Sequence, residues 1–331
     1  MTVDNAIVFP APGVAELRQV QLPDAGPGEV RLRTRLSLMS TGTEGIAFAR
    51  RFGAGTHWAQ YVEYPFRPGY SVVGVVDQTG HESGLSVGDR VVARAPHASR
   101  VVVRADRCTP VPAGLADEQA VWFALAKIAF VGIRVGEVRP GSRVLVVGAG
   151  PIGQMATRWA AAAAAARIVV VDSVAARLDL AMAGGATATI GSPIDDAQDE
   201  LAAAFGGQPP EVVLDSTGNA AVLPGALRAA ADHGRVVLLG DAGTPSDQRL
   251  TSDVMVRGVS IMGAHDSYTI GDQRWDNDRE IVRLVFRLAA AGRFPLTGMV
   301  GDRFGPKDCQ RAYELAATQR HRTMGIVFDW D

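Results

Sequence analysis

Three glycines carry the most specific chemical message in this chain. Gly148-Ala149-Gly150-Pro151-Ile152-Gly153 follows the apolar run Arg143 to Val147 and opens an alanine-rich helical stretch. Set between a strand and a helix, that spacing specifies a dinucleotide site. Gly148 permits a tight turn, Gly150 lets the backbone approach a pyrophosphate, and Gly153 lets helix and strand pack closely. Pro151 and Ile152 begin the helix, whose free N–H groups and positive end face the phosphates. Nineteen positions beyond Gly153, the run Val169-Val170-Val171 delivers Asp172, followed by Ser173. A carboxylate there can accept hydrogen bonds from both hydroxyls of an adenosine ribose and repels a 2′-phosphate, so NAD is expected over NADP. Arg177 complicates the choice, because its cation can stack by the adenosine or meet a phosphate. An exposed guanidinium swings away, which leaves Asp172 to decide. The plainer alternative is that the glycines only shape a turn and Asp172 caps the next helix.

Groups able to move a proton come next. The chain has only two lysines, Lys127 and Lys307, and Lys127 lies in the apolar stretch Phe123 to Ala129. Burial lowers a lysine pKa toward neutrality and allows proton exchange with a substrate oxygen; the alternative is a stem threaded across the core with its amine in water. His265 has Asp266 as its neighbour. Adjacent side chains on a strand point to opposite faces, so Asp266 is not expected to be its partner, and a structural role for His265 is the competing account. Cys108 and Cys309 are the only cysteines, and the scattered His57, His81, His97 and Cys108 match no metal-clip spacing.

The elements that must position these groups fall into two patterns. Short apolar runs at Val30 to Leu38, Tyr70 to Val76, Arg90 to Ala93 and Val101 to Arg104, broken by Gly and Pro, read as strands of a β-rich module. Asp117 to Val135 reads as one linking helix. Beyond it strand and helix alternate, with strands at Val144 to Val147, Ile168 to Val171, Val212 to Leu214 and Val236 to Leu239, which predicts a parallel sheet wrapped by helices. Glu280 to Ala291 reads as a further helix and Met324 to Phe328 as a closing strand. The polar stretch Asp266 to Asp278, which holds Tyr268 and Trp275, is a candidate lid or an ordinary surface excursion.

With 331 residues at 47 % hydrophobic and 21 % charged, the chain is too long for one compact core and too apolar for disorder. The longest apolar stretch stops at Arg158 and Arg167, short of the roughly 20 residues a membrane span requires. The opening residues lack the layout of a secretory signal, so a cytoplasmic, reducing location is expected. A balance of 33 basic against 35 acidic side chains leaves no footprint for nucleic acid.

The order of a β-rich module, a linking helix, a dinucleotide fold and a return segment resembles the medium-chain dehydrogenase/reductase superfamily. Leu38-Met39-Ser40-Thr41-Gly42-Thr43-Glu44, Arg67 to Gly74 and the closing Arg322 to Trp330 are similar to the branch containing bacteriochlorophyllide a dehydrogenase and NAD-linked alcohol dehydrogenases. The resemblance implies an α/β fold: a Rossmann doubly wound parallel sheet over residues 125–263, and a β-rich GroES-like substrate domain built from residues 1–124 and 264–331. It implies further cofactor contacts at Ser216 and Thr217, at Gly240 and Asp241, and from Arg322 to the pyrophosphate. It places Lys127 beside the nicotinamide, where it becomes the first candidate for proton transfer.

The departures set the expected chemistry. Where zinc-dependent members carry a Cys-Gly-x-Asp segment and a Gly-His-Glu segment, this chain has Ser40-Thr41-Gly42-Thr43-Glu44 and Gly69-Tyr70-Ser71, and the third ligand position falls near Ala124. Such places hold at best weak hydroxyl ligands, so no metal is expected. Ser40, Thr41 and Tyr70 are then candidates to hydrogen-bond the reacting oxygen, with Tyr70 either a weak acid or a wall residue; Thr43 and Glu44 beside them are further candidates or simply hold the loop. The expected function is a zinc-independent, NAD-dependent interconversion of a secondary alcohol and a ketone on a biosynthetic metabolite. A reductase of activated C=C bonds using NAD(P)H and a catalytically idle nucleotide-binding protein are the rivals. The family habit of joining nucleotide-domain sheets across subunits predicts a homodimer or homotetramer, with Gly258 to Met262 as the edge.

Overall fold

The computed structural model describes residues 2–267 and 278–331. Valine-rich runs supply the strands of a six-stranded parallel sheet, in the order Ala188–Ile190, Arg167–Val171, Arg143–Val147, Val212–Asp215, Arg235–Leu238 and Ser260–Gly263. This is the doubly wound order, whose switch point falls between Arg143–Val147 and Val212–Asp215. Side-chain alternation explains why those runs are apolar throughout. Val144 and Val146 pack with Ala126, Met155 and Trp159 on one face, whereas Leu145 and Val147 pack with Leu201 and Leu227 on the other.

The β-rich module is a seven-stranded sheet with a separate hairpin, Thr2–Ala11 and Val14–Leu22, beside it. Its longest strand, Glu29–Met39, pairs with Val72–Thr79, with Arg100–Arg104 and, from the far end of the chain, with Gly325–Asp329. The return segment therefore completes the substrate module. Phe9, Phe48, Tyr313 and Phe328 interlock beneath it, with the Phe9 and Tyr313 rings meeting edge to face at 4.7 Å.

Most expected strands occur within a residue or two of their predicted bounds. The helix expected over Asp117 to Val135 is instead two helices, Asp117–Ala120 and Phe123–Val135. At the break the Trp122 N–H bonds Gln119 O at 3.3 Å, a tighter i−3 turn, and Ser71 Oγ donates to the Val121 carbonyl at 2.5 Å. The hairpin, the strand Val300–Phe304 and the helix Cys309–Thr318 were not anticipated. Tyr268 and Trp275 lie outside the described residues. Among the described residues no helix is long and apolar enough to cross a membrane.

Arg158, in the helix Pro151–Ala162, is 1 % exposed and joins the nucleotide domain to the return segment. Its Nη1 donates to Gln154 O at 3.1 Å and Gln154 Oε1 at 2.8 Å, and its Nε donates to Pro295 O at 2.5 Å. Burial pushes its pKa down to about 10, which keeps it a cation at neutral pH. Arg158→Met fills the volume but strands these acceptors. It is expected to lower stability by about 3 kcal/mol, read as a shifted urea midpoint with an unchanged m value.

Candidate active site

A cleft of about 1860 Å³ runs between the two modules, and both line it. At its nucleotide end, Gly148 has φ +88°, a conformation that favours glycine. A Cβ at Gly153 would stand 1.9 Å from Gly148 O, so only glycine permits this packing of helix on turn. A Cβ at Gly150 would meet nothing closer than Arg177 Nη1 at 4.0 Å, which leaves the turn open to a pyrophosphate. Pro151 and Ile152 also line the cleft at the start of their helix.

Asp172 accepts the Ala149 N–H at 2.7 Å through Oδ2 and the Val174 N–H at 2.9 Å through Oδ1. It thus fixes the glycine turn and precedes a helix while still lining the cleft. Its neighbour Ser173 is exposed. Arg177 departs from expectation, since it is held rather than free to swing. Its Nη2 donates to the carbonyls of Arg320 and Thr323, and its Nη1 stands 3.9 Å from Asp172 Oδ2. Burial lowers its pKa. Arg320 lines the cleft, and burial together with the charges of Arg51 and Arg177 lowers its pKa too. Arg322 is not brought here: it bonds Gln319 Oε1 at 2.9 Å and borders a separate groove.

Ser216 lines the cleft, but its hydroxyl is committed to Val147 O at 3.0 Å and Gly148 O at 2.9 Å. Thr217 donates its N–H and hydroxyl to Asp215 Oδ1, whose pKa burial raises. A Cβ at Gly240 would stand 2.4 Å from Gly218 N, so these loops pack backbone to backbone. Asp241 faces the substrate module, where His57 Nε2 lies 2.8 Å from its Oδ2.

The other end of the cleft holds hydroxyls. Tyr70 donates to Ser40 Oγ at 2.5 Å, and the Thr43 hydroxyl bonds the same phenol. Burial is the main cause that pushes the Tyr70 pKa up to about 12. The Arg94 guanidinium lies 5.4 Å from its ring centre. Buried Thr41 completes this wall.

Behind the wall is Glu44, 2 % exposed, which the sequence offered as a further candidate or a loop anchor. It accepts Ser40 N–H at 2.7 Å and the Tyr313 hydroxyl at 2.5 Å, and His97 Nε2 lies 3.0 Å from it. Bond directions follow from the donor inventory. Trp330 can only donate to Ser37 Oγ, at 2.9 Å; the Ser37 proton then goes to His97 Nδ1, 2.8 Å away, leaving Nε2–H for Glu44.

Lys127 is held by carboxylates. Its ammonium donates to Asp266 O at 2.6 Å and Oδ1 at 2.7 Å, and lies 3.1 Å from Asp278 Oδ1; Arg94 binds the other Asp266 oxygen. Those bonds tie it to the loop after Ser260–Gly263. His265 is exposed at the cleft, with Nδ1 2.8 Å from Ser267 Oγ and its ring 6.2 Å from that of His57. Asp266 is not its partner, in keeping with divergent neighbouring side chains. His57, Arg94 and Arg320 were missed as site residues. For His57 the available signal was its place with Trp58 and Tyr61 in a polar, turn-rich stretch.

Among the described residues no three His, Cys, Asp or Glu side chains gather as a metal site. The hydroxyls of Ser40, Thr41 and Tyr70 do not fit a catalytic zinc, which takes three nitrogen, sulfur or carboxylate donors. The nucleotide end, in contrast, fits a dinucleotide: an open glycine turn, a helix N-terminus and the Asp172 carboxylate lie on one surface.

Comparison with known proteins agrees with this geometry. The family model described as alcohol dehydrogenase GroES-like domain matches residues 26–173, and that described as zinc-binding dehydrogenase matches residues 151–280. D-guloside 3-dehydrogenase of Escherichia coli K12 is 30 % identical over 250 residues, covering 70 % of this chain and 71 % of that protein. Among solved structures, an Escherichia coli oxidoreductase of unknown specificity superposes with TM-score 0.84 at 16 % identity, covering 99 % of both chains. An Escherichia coli CFT073 alcohol dehydrogenase complexed with NADH gives 0.80 at 19 % identity, covering 99 % of this chain and 100 % of that one. With two such modules around one dinucleotide cleft, the chain belongs to the medium-chain dehydrogenase/reductase superfamily. It is an NAD(P)-dependent oxidoreductase acting on CH–OH or C=O groups.

Asp172→Gly removes the carboxylate beside the glycine turn and leaves Arg177 in place. The ratio of kcat/KM with NADH to that with NADPH is expected to fall about 10- to 100-fold, the worth of a charge-assisted bond, in steady-state assays with each cofactor.

Proposed function

We propose that the protein is a zinc-independent, NAD-preferring dehydrogenase that interconverts a secondary alcohol and a ketone on a biosynthetic metabolite. The observation carrying this reading is the Tyr70–Ser40 hydrogen bond, at the wall where the resembled zinc enzymes hold ligands. NAD preference is supported by Asp172, which lines the cleft beside the glycine turn. The relative named D-guloside 3-dehydrogenase supports the reaction class.

The dinucleotide, when bound, supplies or takes up the hydride. The chain must then manage charge on the substrate oxygen. Ser40 accepts from Tyr70, so its own proton is free to point at that oxygen. In ketone reduction, negative charge builds on the oxygen; Ser40 donates to it and Tyr70 replaces the Ser40 proton, because an alkoxide is a stronger base than a phenolate with pKa about 12. Alcohol oxidation runs the same relay backwards. Glu44 holds the Ser40 backbone while this happens.

The test is Tyr70→Phe in enzyme dialysed against chelator. The dialysed wild type is expected to keep its activity, and the variant to lose about 10²- to 10³-fold in kcat with NADH affinity unchanged. Loss of wild-type activity on zinc removal overturns the zinc-free reading. Turnover of conjugated enones alone makes the protein a C=C reductase, and NADH binding with no turnover makes it an idle nucleotide binder. The raised phenol pKa also fixes a pH sign: this group's contribution to stability is intact below pH 10 and is lost as pH rises toward about 12.

We propose a homodimer or homotetramer as the assembly, supported by the strand Ser260–Gly263 at the end of its sheet and by exposed Met255 and Val256 just before it. Met255→Asp with Val256→Asp is expected to give a monomer by light scattering.

A further inference from the structure

We propose that the mouth of the cleft recognises a neutral, polyhydroxylated ring, of the sugar or cyclitol class, as the alcohol substrate. The inference rests on the dehydrogenase reading and adds the substrate class. It comes from how the charges and rings of the mouth are arranged.

The short helix His57–Tyr61 presents His57, Trp58 and Tyr61 to the cleft, and the strand ends opposite present Asp241 and His265. Within a cleft whose lining is mainly apolar, this wall gathers two imidazoles, a carboxylate and a phenol. Its charges are matched one against another. His57 Nε2 sits 2.8 Å from Asp241, and Arg94 and Lys127 share Asp266. Arg177 and Arg320 act on each other beside Asp172 at the dinucleotide end, and Arg51, whose charge also reaches Arg320, bonds the Gly45 carbonyl at 3.5 Å. A phosphate or carboxylate substrate entering the mouth meets Arg94 and Lys127 already held by Asp266, and an ammonium meets Asp241 and Asp266 already bonded by His57, Arg94 and Lys127.

A hydroxyl suits such a wall because it both donates and accepts. Asp241 Oδ2 and Oδ1 retain lone pairs beside the imidazole, so adjacent hydroxyls of a ring can donate to the carboxylate. An apolar alcohol displaces water from these groups without replacing its hydrogen bonds, which penalises binding. The rings provide the complementary surface. Tyr61 is 53 % exposed, its ring 6.2 Å from Trp58 and at 72° to it, and the His57 and His265 rings meet edge to face. Flat faces of this kind pack against the C–H face of a sugar ring.

The experiment assays NAD-loaded enzyme with methyl hexopyranosides and myo-inositol, with cyclohexanol and 2-octanol, and with glucose 6-phosphate and 3-hydroxybutyrate. Neutral polyols are expected to exceed both other classes by about 100-fold in kcat/KM. His57→Leu, at a half-exposed position, is expected to raise the polyol KM about 10-fold with the KM for NAD unchanged. Preference for cyclohexanol, 2-octanol or the anionic alcohols, or a His57→Leu enzyme indistinguishable from wild type on polyols, overturns the inference while leaving the dehydrogenase reading intact. If nothing turns over, that reading fails, and calorimetric titration of the NADH complex decides the mouth: tighter binding of myo-inositol than of cyclohexanol upholds it, and equal or absent binding overturns it.

Discussion

A carboxylate sealed from water must collect its hydrogen bonds from protein, and Glu44 does so from three directions. The Ser40 N–H arrives from the loop after Glu29–Met39, the imidazole of His97 from the loop before Arg100–Arg104, and the Tyr313 hydroxyl from a helix late in the chain. Leaving any of these donors out exposes a buried anion to the full desolvation cost, of several kcal/mol for a charged group. The loop Ser40–Thr43 is therefore defined by electrostatics beneath it. Tyr70 and Ser40 face each other at 2.5 Å above the Glu44 carboxylate that bonds the Ser40 N–H.

The nucleotide end is organised by the same device. Asp172 gathers the N–H groups of Ala149 and Val174, and Asp215 gathers the N–H and hydroxyl of Thr217. Both carboxylates shape backbone turns at strand ends, which is where a doubly wound sheet binds its ligand. Arg177 then ties this end to residues 320 and 323 of the return segment, so the segment that completes the substrate sheet also touches the adenosine side. Chemistry and cofactor are held by one continuous frame.

Much of this frame was readable from residue order. The glycine turn, Asp172 and the alternation of strand and helix depend on contacts near in sequence, and those the pattern expresses directly. Tyr70 and Ser40 were named as candidates, but their mutual bond spans 30 positions and needed the fold. Lys127 met the same limit: its apolar neighbourhood indicated burial, yet the carboxylates that bond its ammonium lie 139 and 151 positions away. The same distance hid the His57–Asp241 pair and the role of Arg320. Arg322, two positions on, follows the sequence match but points to another groove, because the turn Arg320–Arg322 rotates successive side chains apart.

The interrupted linking helix shows how little is required to aim one module at the other. At its break Ser71, a residue of neither helical piece and the immediate neighbour of Tyr70, bonds the Val121 carbonyl. The joint between the modules is thus tied to the residue beside the Tyr70–Ser40 pair. Exchanging that one hydroxyl for a methyl would leave the Val121 carbonyl without this partner while the neighbouring phenol stays in the chain.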